Sequence, residues 1–294
     1  MTGILGVVHG LDYLFGYLLV GSIVFNFLIL PAGGSVAASI DNNRYRKLLL
    51  PTLISSILWM FASAYNMTES WALAEIWTAM STTTLGHLWC ARIALLFLAL
   101  LISRKAKNNK ISACIFIFLA LILPVISVLA SHAASQPNYK EIRMIMGLLH
   151  SLAVGVWTGG LWTLINWLRR RNMFLEIDNS ISYRVVKRFS IFAIFSTTII
   201  AITGIGMSVL SGVSWLSPFA TTYGKIVVGK ILLFTITLSV ASINQFIHLA
   251  RWKPSEEKKF ISGIYQESWI ELIIIMVIFC LAGFLTLTPL PLEL

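Results

Sequence analysis

ISACIFIFLALILPVISVLAS, residues 111–131, runs for 21 positions without a charged side chain. At about 1.5 Å per helical residue, such a run crosses the roughly 30 Å hydrocarbon core of a bilayer. Inside lipid the backbone must satisfy its own hydrogen bonds, which leaves helices and closed barrels. Barrel strands would alternate apolar and polar positions over about ten residues, whereas Phe116, Ile117, Phe118 and Leu119 follow one another without a polar break. The stretch therefore reads as a transmembrane helix.

Comparable runs recur along the chain. Spans are predicted at roughly 6–30, 47–66, 85–103, 111–131, 142–167, 189–211, 225–249 and 268–290. The expected fold is all-α, a polytopic membrane bundle of about eight transmembrane helices. It forms a single integral domain over residues 1–294. Composition agrees: 57% of residues are hydrophobic, 12% are charged, and the mean hydropathy is +0.84. A soluble protein of this length would need far more polar surface around its core. The first run has no basic flank and extends to about Leu30, so it reads as a span rather than a signal peptide. The formal charge of +10 does not point to nucleic acid, because the basic residues sit in short loops between spans. Cys90, Cys114 and Cys280 lie in or beside apolar runs and form no CxxC pair, so no disulfide framework is expected.

Lysine and arginine then orient the bundle. Four loops, after the first, third, fifth and seventh spans, carry 17 of them, led by Arg44, Arg46 and Lys47 in the first. The other three loops hold only Lys140, Arg143 and Lys225. Positive charge stays on the cytoplasmic side, so the basic loops are expected inside and both termini outside. The segment 66–84, with Trp71 and Trp77 in an amphipathic middle, is expected to lie along the outer interface.

This topology places four of the five histidines at the outer side. His9 opens the first span, His87 opens the third, His132 closes the fourth, and His150 lies about two turns into the fifth. Only His248 falls on the cytoplasmic side, where it reads as a surface residue. His9 and Asp12, and likewise His87 and Cys90, are three apart; Met146 and His150 are four apart. Residues at these spacings meet on a helix face, so each pair can offer two ligands to one ion. Imidazole, thiolate and thioether together suit copper. Carboxylates are too few at this end for calcium or magnesium. Taken singly, Met144 and Met146 read as packing residues and Cys90 as a small buried hydrophobe. The candidate metal set is His132, His150, His87, His9, Met146 and Cys90.

Two cations lie within spans, Arg92 and Lys230, and Asp12 is at a depth where it can neutralise Arg92. Such groups are costly in lipid and either pair structurally or mark an ion's route. GIGMSVLSG at 204–212 has small residues at spacings that favour close helix packing. No P-loop and no catalytic constellation is present, so an enzyme is not expected.

LLHSLAVGVWTGGLWTL at 148–164, SHAA at 131–134, KRFSIFAIFSTTIIAITG at 187–204 and TTYGKIVVGKILLF at 221–234 together resemble the CopD copper-resistance family of bacterial inner-membrane proteins. The resemblance is tightest from about 131 to 250. It implies movement of copper from periplasm to cytoplasm, His132 and His150 as the motif histidines, and a separate periplasmic CopC-type copper-binding partner. On the inner half only Cys114, Asn166, Asn244 and Cys280 stand out as scattered polar or sulfur groups for onward passage. Two other readings of the residues stay open. One is a haem b held between two outer histidines, with Arg92 or Lys230 on its propionates. The other is a copper sensor or storage subunit that binds metal without moving it.

Overall fold

The computed structural model describes residues 2–33, 44–103, 110–131, 138–171 and 180–291. Among the described residues there is no strand. Helix α1 covers Thr2–Val24 and continues through a π-helical turn, Phe25–Ile29. Then follow α2 (Leu49–Thr68), α3 (Leu73–Thr82), α4 (Thr84–Ser103) and α5 (Lys110–Leu129). The second half is built from α6 (Lys140–Arg171), α7 (Ser180–Leu210), α8 (Thr222–Ile243) and α9 (Glu257–Leu285). Every one except α3 is long and apolar enough to cross a bilayer, which makes eight spans among the described residues. The bundle expected from sequence is present. Its last two long helices on the basic side are longer than expected: α7 begins at Ser180 and α9 at Glu257.

Local chemistry explains the turns. The α3–α4 turn is tight: Thr83 accepts a hydrogen bond from the Gly86 N–H at 3.0 Å, an N-cap for α4. Thr221 caps α8 in the same way through Gly224. Helix α7 ends where Gly212 takes φ 82, a left-handed conformation open to glycine, and Val213 N–H closes on Ser208 O. Short α3 buries Ile76, Ala79 and Met80 while Trp71, Leu73 and Trp77 stay exposed. That is the amphipathic segment expected at 66–84.

α1 is the central helix and packs on α2, α6 and α9. It runs parallel to α6, as Tyr17 meeting Ser151 and Ser22 meeting Thr163 require. Glycines set how closely these helices approach. A Cβ at Gly159 would lie 2.5 Å from Tyr17 O and 2.7 Å from the Gly21 Cα. On the other side, Gly10 faces the backbone of Phe279 and Cys280 in α9. In lipid there is little hydrophobic drive between helices, and such close backbone contact supplies the dispersion and weak hydrogen bonding that hold them together. Gly159→Val is therefore expected to destabilise the bundle by at least about 3 kcal/mol, at or above the upper end of ordinary overpacking. Gly155→Ala is expected to be tolerated, because a Cβ there makes ordinary contacts only, with Val20 Cγ1 at 3.4 Å and with Tyr17 Cδ1 and Val20 Cβ at 3.6 Å. Detergent-titrated unfolding of the two variants would check this, and equal stabilities would count against the packing.

A buried ion pair ties α1 to its other neighbours. Arg92 of α4 meets Asp12 of α1 at 3.3 Å, with side chains 2% and 0% exposed. Ser56 of α2 donates to Asp12 Oδ1 at 2.5 Å and accepts from Arg92 Nε at 3.1 Å. Arg92 Nη1 donates to Ser127 Oγ and Leu123 O of α5. Gly16 leaves the space that the guanidinium fills, since a Cβ there would lie 3.1 Å from Arg92 Nη2. One arginine thus joins four helices.

Candidate metal-binding cavity

A cavity of about 530 Å³ lies at the ends of α5 to α9 remote from the basic loops, with α1 along one side. Ser131, Ser211 and Leu290 line it near the helix ends, and Thr158 and Leu238 line it farthest along α6 and α8. Trp157 and Phe234 of its wall meet edge to face, with centroids 5.8 Å apart. Along α6 the distance from Arg143 to Trp157 is about 21 Å at 1.5 Å per residue, so the cavity reaches well into the bundle.

His150 lines this cavity. Its Nδ1 lies 2.9 Å from Thr203 Oγ1 of α7. The Thr203 hydroxyl donates its own proton to Ile199 O at 2.6 Å, so it must accept from the imidazole. Nδ1 therefore carries the hydrogen, and Nε2 keeps its lone pair for a ligand. An outer hydrogen bond of this kind orients metal-binding histidines generally. Gly204 stands beside His150 Cε1, where a Cβ would lie 3.5 Å away. Met207, four residues beyond Thr203 on the same face of α7, also lines the cavity and adds a thioether. Tyr17 donates to Ser151 Oγ at 3.0 Å beside them.

The other sequence candidates part from this site. Met146 presses its Cε against Gly206 in the α6–α7 seam and does not line the cavity. The small residues of GIGMSVLSG do serve close packing, by admitting His150 and Met146 rather than a second backbone. His9 is 5% exposed and stacks on Trp59 at 3.7 Å and on Tyr13 at 4.3 Å. Its Nδ1 meets Thr286 Oγ1 at 2.6 Å, and that hydroxyl donates to Gly283 O. This repeats the His150–Thr203 arrangement on α1 and α9, and Thr286 and Tyr13 both line the cavity. His87 and Cys90 are exposed, with His87 Nε2 on Ser81 O at 2.7 Å. Cys90 is thus not the small buried hydrophobe expected of it taken alone. His132 lies outside the described residues. Among those described, no three histidine, cysteine, aspartate or glutamate side chains group around one point. Among the described residues, His150 is the one histidine that lines the cavity.

Toward the basic end the chain is more polar than its sequence implied. α8 passes into a π-helical turn, Asn244–Leu249. There Asn244 donates to Glu271 Oε1 at 2.7 Å, and His248 Nε2 meets Glu267 Oε1 at 3.0 Å. Glu271 is 3% exposed, and His248, read from sequence as a surface residue, is half-buried against Gly263. Cys114 is exposed, and Asn166 donates to its own helix at Trp162 O. Of the scattered inner groups, only Asn244 joins a polar cluster.

Two family descriptions match the chain: copper resistance protein D over residues 183–285, and copper resistance protein D-like, N-terminal domain, over residues 2–138. This chain belongs to the copper resistance protein D family. The first match takes in Thr203 and, in the cavity wall, Met207 and Lys230, and the second takes in Asp12 and Arg92. A stretch of 168 residues, 54% of the chain, is 26% identical to the copper transport protein CutJ of Bacillus subtilis (strain 168). That stretch covers 30% of the relative's own length. No solved structure matches the chain significantly. Within the copper resistance protein D family, then, this is a multi-pass helical membrane protein with a cavity lined by His150.

Proposed function

We propose that the chain carries copper across the bacterial inner membrane from periplasm to cytoplasm. Copper, the substrate, is accepted at His150 in the cavity, with Met207 as a neighbouring soft donor. The observation that carries this reading is the His150 imidazole, held by Thr203 with its Nε2 lone pair available, in a cavity that reaches the end poor in lysine and arginine. The positive-inside bias makes that end the periplasmic one and puts both termini there. A periplasmic CopC-type protein is the proposed donor. The whole chain acts as one unit, because central α1 packs on α6 and α9 as well as on α2.

An imidazole and a thioether favour cuprous copper over harder divalent ions. Toward the cytoplasm, beyond the cavity, lies the polar cluster of Asn244, Glu271, Glu267 and His248, which is the onward route in this reading. Cells expressing the chain are expected to accumulate more copper than vector controls. Met207→Leu is expected to lower that gain several-fold, while Met146→Leu, which only refills a packing seam, leaves it within about twofold. Equal copper in expressing and control cells would remove the transport reading, and the reverse order of the two methionines would remove this donor set.

A further inference from the structure

Building on the copper reading, we infer that the cavity admits copper as an anionic organic chelate rather than as the bare ion. Charge comes first. Lys230 and Arg143 line the cavity, and no aspartate or glutamate does among the described residues. Residues 126–140, which border it in sequence, contain no carboxylate either. The nearest acid in the α1 wall, Asp12, is held by Arg92 and Ser56. Arg143 is 5% exposed and donates to Asn138 O and to Leu210 O, the last carbonyl of α7. Those contacts orient it, and no side chain among the described residues forms an ion pair with it. No carboxylate pairs with Lys230 among the described residues. A bare cuprous or cupric ion entering this space meets two like charges in a low-dielectric wall, with no carboxylate in that wall among the described residues to oppose them.

Size and lining agree. Copper with six waters takes up roughly 200 Å³ at about 30 Å³ per water, well short of the 530 Å³ present. The remaining wall is largely aromatic and aliphatic, with Tyr17, Trp157 and Phe234 facing the space. Thr158, 1% exposed, also lines it and has no hydrogen-bond partner for its hydroxyl. A buried hydroxyl without a partner is unusual and marks a place for a ligand's polar atom. An organic chelate meets all of these conditions. Its carboxylates face Lys230 and Arg143, its body covers the aromatic wall, and Thr158 serves a remaining acceptor. His150 Nε2 then displaces one water from copper. One copper–oxygen bond breaks, one copper–nitrogen bond forms, and no electron or proton is transferred.

The test uses two cupric complexes that each leave a position open for imidazole: the nitrilotriacetate complex, a monoanion, and the diethylenetriamine complex, a dication. Each is titrated into the full chain in lipid nanodiscs. Electron paramagnetic resonance reports the added imidazole nitrogen, and His150→Ala defines the background from other histidines. The anionic complex is expected to bind His150 at least about tenfold more tightly than the cationic one. Lys230→Met is expected to erase most of that preference and Lys230→Arg to keep it. Equal or tighter His150-dependent binding of the dication would overturn the inference and leave the copper reading standing. So would a preference that survives Lys230→Met. If neither complex gives a His150-dependent signal, the inference fails, and cuprous affinity measured against a chelator in the wild type and His150→Ala decides separately whether the copper site stands.

Discussion

His150→Ala is expected to lower the affinity for copper by about 100-fold or more and to abolish the copper gain of expressing cells. Removing a hydrogen-bond partner of a metal ligand commonly costs about 10–100-fold, and removing the ligand itself costs no less. The side chain is poised for this role by a contact that can be tested separately. Thr203 Oγ1 accepts from His150 Nδ1 at 2.9 Å because its own proton goes to Ile199 O. Thr203→Val keeps the shape, removes the acceptor and frees the tautomer, so it is expected to cost about tenfold. Competition against a calibrated cuprous chelator measures both variants. An affinity unchanged in His150→Ala would take the site away from this cavity.

The second large effect is structural. Asp12→Asn leaves Arg92 charged inside four packed helices with only neutral partners. Breaking a buried pair in this way costs about 3–5 kcal/mol. Replacing both members with apolar residues of similar volume, Asp12→Leu with Arg92→Met, is expected to recover most of that loss, because paired removal leaves no uncompensated charge. Detergent-titrated unfolding gives the stabilities. Copper uptake per folded molecule in the double variant separates the roles: retained uptake assigns the pair to helix assembly, and lost uptake assigns it to the ion's route.

Much of the fold was legible because lipid imposes one rule on every span. Residues 111–131 could be nothing but a helix in a bilayer, and seven other runs obeyed the same constraint. The pairing of Asp12 with Arg92 was also legible, since two opposite charges at matched depth have few other solutions. The small residues of GIGMSVLSG at 204–212 were a readable sign of close packing, though they did not say what they would admit. What could not be read was which faces meet. Met146 shares a face with His150 on α6, so spacing alone made it the companion ligand. The packing of α7 on α6 decides otherwise, with Met146 against Gly206 and Met207 in the cavity wall. Thr203 stands 53 residues from His150 in sequence, and no local pattern connects them. Glu267 and Glu271 were missed for a different reason. They lie at the edge of the predicted span 268–290, one just before it and one just inside, and the π-helical turn at Asn244–Leu249 brings Asn244 and His248 to them.

The most direct measurement is copper influx into proteoliposomes holding the purified chain, followed with radioactive copper and sorted by the side of the bilayer on which the termini lie. Influx from the terminal side, above protein-free vesicles and lost in His150→Ala, is the expected result. Vesicles that bind copper but do not take it up, or take it up equally without His150, would contradict transport through this cavity.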